Sequence, residues 1–122
     1  MTRDKSLDTL LYLDGDHSVI DDYGNWVKFE ASQVDVTEYR PHGLSYSLTL
    51  HDKHGMRIFG MDNAHKAMDG RNNRYKARVV EYDHLHPDGG KVSVVYKFES
   101  PEKLIADFWR SVDERLAEIH GN

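Results

Sequence analysis

Leu44-Ser45-Tyr46-Ser47-Leu48-Thr49-Leu50-His51, then Asp52-Lys53-His54-Gly55, then Met56-Arg57-Ile58-Phe59-Gly60-Met61, is the stretch that decides the fold. Along its first arm Leu44, Tyr46, Leu48 and Leu50 alternate with Ser45, Ser47, Thr49 and His51. A period of two puts each set on its own side of an extended chain, so this arm reads as a strand with one buried face. The polar connection ends in Gly55 and suits a four-residue hairpin loop, after which the second arm returns antiparallel.

Upstream, Trp26, Lys28, Glu30 and Ser32 alternate with Val27, Phe29, Ala31 and Gln33, which predicts a strand within Asn25 to Val36. Ser18 to Asp22 and this segment flank Tyr23-Gly24. The run Leu7 to Leu13 is grouped with these strands and closes at the turn Asp14-Gly15-Asp16. Arg40-Pro41-His42-Gly43 is a loop, since Pro and Gly both interrupt a ladder. Downstream, a polar segment runs to about Arg78, Val79 to His86 is read as a strand, Pro87-Asp88-Gly89-Gly90 as a turn, and Val92 to Phe98 as a strand.

The C-terminus changes period. Ser100 is an N-cap, Pro101 fits the first helical position, and Glu102 complements the helix dipole. Leu104, Ile105, Phe108, Trp109, Val112, Leu116 and Ile119 recur at helical spacing, and Gly121 closes the helix. The expected class is α+β: a mainly antiparallel sheet of about five to six strands, with a C-terminal α-helix packed across one face. The 122 residues form one domain, with residues 1–6 frayed and 66–78 a basic loop.

Composition narrows the function. Apolar residues are 39% and charged residues 30%, which supports a small folded core and no membrane span. The absence of Cys removes disulfides, thiolate metal sites and cysteine nucleophiles. No signal peptide is recognisable, so a cytoplasmic location is expected. The net charge of −5 hides a segregation. Asp4, Asp8, Asp14, Asp16, Asp21, Asp22, Glu30 and Asp35 crowd the N-terminal part, whereas Lys66, Arg71, Arg74, Lys76 and Arg78 stand against Asp69 alone. Such a basic segment points to an anionic partner such as RNA, or is simply a solvated loop.

His84-Leu85-His86 places two imidazoles on one face of a strand. His65 follows the hairpin exit at Asp62-Asn63-Ala64, and Asp62 and Asp83 are close in sequence. Three readings compete. In the first, two histidines share proton transfers in a ribonuclease reaction, with His65, His84 and His86 as acid and base and Arg71, Arg74, Arg78 and Lys66 on phosphate. A zinc or non-haem iron site ranks below this, because it needs three histidines to converge, so no metal or cofactor is expected. In the third, the histidines only decorate strand ends, leaving a non-catalytic module that binds a protein through the basic loop or a sheet edge. His51 and His54 sit at the other end of the hairpin. Nucleotide-binding glycine loops and a hydrolase elbow are absent from the sequence.

One ordered set of segments carries a resemblance: the Tyr-Ser-Leu strand ending in Asp52 and Gly55, the return into Asp62-Asn63-Ala64-His65, His84 and His86, Tyr96-Lys97-Phe98-Glu99-Ser100, and Glu102-Lys103-Leu104-Ile105-Ala106-Asp107-Phe108. Over roughly His42 to Val112 it resembles the TumE family of small prokaryotic toxins. That resemblance implies the toxin of a two-component system with a cognate antitoxin as its protein partner. It assigns no catalytic residue.

Overall fold

The computed structural model describes residues 5–38, 40–63 and 83–121. They form α1 (Lys5–Tyr12), β1 (His17–Val19), β2 (Trp26–Gln33), β3 (Leu44–His51), β4 (Arg57–Asp62), β5 (His84–His86), β6 (Val94–Val95) and α2 (Pro101–His120). The strands make one six-stranded sheet in the order β1-β2-β3-β4-β5-β6, and each neighbouring pair is antiparallel. The α+β expectation is met.

The alternation read from β2 and β3 is the alternation observed. Val27, Phe29, Ala31, Leu44, Tyr46, Leu48 and Leu50 face a single core that Phe59 and Met61 of β4 complete. Helix α2 covers that face with Leu104, Phe108 and Val112, all fully buried. Its ends follow the local chemistry. Ser100 Oγ accepts the Lys103 N–H at 3.1 Å, Pro101 opens the helix, and Gly121 takes a left-handed φ of 75° that lets its N–H reach the Ala117 carbonyl. Trp109 and Ile119 flank the buried stripe and stay partly exposed.

Two elements differ from expectation, and residues 79–82 of a further expected strand lie outside the described residues. Leu7 to Leu13 is not a strand; Lys5–Tyr12 is a helix. Leu7, Leu10 and Leu11 are spaced i, i+3, i+4, which lines one side of a helix, while Tyr12 is left in solvent. In so short a run the two periods are hard to separate, and packing against α2 decides: the Glu102 N–H donates to Ser6 Oγ at 3.1 Å. Among the described residues, the strand expected over Val92 to Phe98 pairs at Val94–Val95. The described part of the strand expected from Val79 is His84–His86. None of the described helices is long and apolar enough to cross a membrane.

Candidate functional site

Both described helices pack on the core face, and among the described residues the opposite face of the sheet carries its polar side chains. Register defines that face. Ser47 stands opposite Asp62, Thr49 opposite Gly60, Asp62 opposite His84, and Gly60 opposite His86. Met61 and Leu85 form the pair between them and turn to the core. Asp62, His84 and His86 therefore project together from β4 and β5, on the side away from the helices.

Their contacts are specific. His86 Nε2 lies 3.3 Å from Asp62 Oδ2, with both side chains mostly buried. His86 Nδ1 lies 3.2 Å from the Val92 carbonyl oxygen. Both ring nitrogens thus lie within reach of an oxygen atom. His84 Nδ1 is 3.2 Å from Ser93 Oγ. The turn after β5 holds His86 in place. Gly89 N–H donates to the His86 carbonyl at 2.9 Å, and Arg57 Nε–H donates to the Gly89 carbonyl at 2.7 Å. Gly89 needs its positive φ, and a side chain there would overlap the Arg57 backbone, so the turn sits flush on β4.

A second polar group lies at the end of β3 and β4, on the core side. Asp83 is buried and takes the Tyr46 hydroxyl at 2.5 Å and His42 Nε2 at 3.1 and 3.2 Å. Leu44 N–H donates to His42 Nδ1 at 3.2 Å, which puts the ring proton on Nε2, facing Asp83. Burial, reinforced by the Asp83 charge, pushes the Tyr46 hydroxyl well above the usual tyrosine range. Fully buried Asn63 clips the same corner: its side chain accepts from Tyr46 N–H at 2.9 Å and donates to the Leu44 carbonyl at 2.6 Å. With both ring nitrogens and the hydroxyl engaged, this cluster fastens the chain where β4 ends and β5 begins.

A third group ties the chain just after β6 to α2. Tyr96 donates its hydroxyl to Asp107 Oδ2 at 2.7 Å, and Lys103 and Arg110 each reach Asp107 at 2.8 Å. Burial raises the Asp107 pKa, but these hydrogen bonds and charges outweigh it and hold the carboxyl below its ordinary value.

Of the residues singled out in the sequence, His84 and His86 are brought together with Asp62 on one face. His65, Lys66, Arg71, Arg74 and Arg78 lie outside the described residues. His51 stacks on Trp26 at a ring distance of 4.1 Å and bonds Thr49, and His54 lines a separate cavity of about 320 Å³ beside Tyr23 and His120. Sequence reasoning missed Arg57, His42 and Tyr46 as partners, because their contacts join positions 32 to 41 residues apart. Among the described residues no three His, Asp or Glu side chains converge to hold a metal ion.

A family model described as Toxin TumE matches residues 13–116, which is most of the chain and reaches beyond His42 to Val112 in both directions. No curated protein and no solved structure matches.

Proposed function

Since this chain belongs to the TumE toxin family, we propose that it is the toxin of a prokaryotic toxin–antitoxin pair, acting in the cytoplasm on RNA as a metal-independent ribonuclease. One observation carries the reading: His84 and His86 share the face of the sheet that the described helices leave uncovered, and a carboxylate, Asp62, stands against His86. In such a reaction one group removes the proton of a 2′-hydroxyl, the oxygen attacks its own phosphodiester, and a second group protonates the departing 5′-oxygen. A cyclic phosphate results, and no cofactor enters. His84 and His86 take these two proton transfers, with His65 as the third candidate, and Lys66, Arg71, Arg74 and Arg78 hold phosphate.

The test is cleavage of labelled RNA in excess chelator. The expected result is a cyclic-phosphate or 3′-phosphate end, a bell-shaped pH profile, and a loss of roughly 10²–10⁴ in rate for His84→Ala or His86→Ala. The triple variant Arg71→Ala, Arg74→Ala, Arg78→Ala should lower the salt dependence of RNA binding by about 0.7 in slope for each phosphate that the protein ceases to neutralise. Chelator-sensitive cleavage restored by zinc or manganese would replace this mechanism with a metal-dependent one. Full activity in single Ala variants of His65, His84 and His86 would remove the histidines from the chemistry altogether.

A further inference from the structure

We propose that the free edge of β6 is the docking site for the antitoxin, which adds an extended strand to the sheet beside the two histidines; this rests on the toxin–antitoxin reading above. Strand β6 ends the sheet order, and no described strand lies beyond it. Three valines crowd this edge in the open: Val92 is 60% exposed, Val94 48% and Val95 61%. Isolated exposed apolar residues are ordinary, but a cluster on a sheet edge is a template for strand pairing.

The backbone register says which groups are offered. Tyr96 N–H donates to the Asp83 carbonyl at 2.8 Å, and His84 stands opposite Val95. Asp83 and Tyr96 are thus a hydrogen-bonded pair, and the next pair, His84 with Val95, is a non-hydrogen-bonded one. Val95 therefore turns its own N–H and C=O away from β5, toward the open side. Groups aimed this way select an extended polypeptide.

Charge indicates the composition of that polypeptide. Lys91 and Lys97 are exposed on either side of the valines, with Glu99 beyond. The fitting segment has apolar residues at alternate positions and acidic residues toward its ends. A second copy of this chain fits less well, because two molecules of net charge −5 repel at a distance.

Position gives the edge its consequence. Ser93 and Val92 are the residues that meet the His84 and His86 rings, each at 3.2 Å. A strand seated on β6 lies one strand away from both histidines and holds the segment that orients them. Docking there places the partner over the edge of the candidate active face.

The experiment uses the full chain with the protein encoded by the neighbouring reading frame. Val95→Pro removes the outward N–H and leaves the β5–β6 bonds intact, as proline is tolerated on a strand edge. Loss of one interfacial hydrogen bond should weaken the complex by about tenfold or more, with Tm kept within about 2 °C of wild type. Val95→Lys repeats the test without a backbone change. Lys91→Glu with Lys97→Glu should also weaken binding, and hydrogen exchange at residues 92–98 should slow in the complex. Wild-type affinity in every variant, with unprotected 92–98, overturns the edge proposal and leaves the partner reading standing. Failure of the wild-type chain to bind overturns both. A self-dimer abolished by Val95→Pro assigns the edge to a second copy and overturns the antitoxin proposal.

Discussion

Replacing Phe108 with Ala should unfold this protein more readily than other single changes on α2. Phe108 is fully buried, edge-on to Phe29 at 5.5 Å and tilted against Phe59 at 6.1 Å. Its ring therefore joins α2 to both β2 and β4. Truncating a buried Phe removes transfer free energy and leaves a cavity, about 3–5 kcal/mol together. Aromatic pairs contribute about 0.5–1.5 kcal/mol beyond burial, which places this site in the upper half of that range, about 4–5 kcal/mol. For a domain of this size that is a fall in Tm of about 15 °C, and about a quarter or more of a typical stability of about 5–15 kcal/mol. Circular dichroism at 222 nm followed through a thermal melt, with a urea titration at 25 °C, measures both. Trp109→Ala is the internal comparison: Trp109 is 37% exposed and touches the same rings from the rim, so its loss should cost about half as much. A Phe108→Ala melt within about 3 °C of wild type, or a larger effect at Trp109, would refute the packing argument.

Two further outcomes follow from the buried polar groups. Asp107 has a folded pKa below the ordinary 3.8, so its stabilisation is present above that value and is lost as pH falls through the folded pKa. Asp107→Asn should lower the urea midpoint at pH 7, with the gap from wild type closing in strong acid; a gap that stays constant to about pH 2 contradicts the assignment. Tyr46→Phe removes the hydroxyl that meets the Asp83 carboxylate and should cost about 1.5–3 kcal/mol with no change in helix content, whereas a urea-derived difference under about 0.5 kcal/mol means that Asp83 is satisfied without it.

Local sequence determined the features whose signal within one element is long or unambiguous. The limits of α2 follow from Ser100, Pro101 and Gly121, because caps act on orphan backbone groups a few atoms away. The faces of β2 and β3, and the common side of His84 and His86, follow from a period of two that the backbone imposes on any extended chain. Tertiary structure decided what depends on partners far along the chain. The Leu7 to Leu13 run became a helix because it packs against α2 from the other end of the sequence. The start of β6 at Val94 rather than Val92 was set by pairing, since Val92 and Val94 are alike in composition but Val94 is the one placed opposite Leu85. The pairing of His86 with Asp62, of Asp83 with Tyr46 and His42, and of Arg57 with the turn at Gly89 likewise depends on strand register. Register is a choice among long-range pairings, and a slip of one residue would send each of these side chains to the other face.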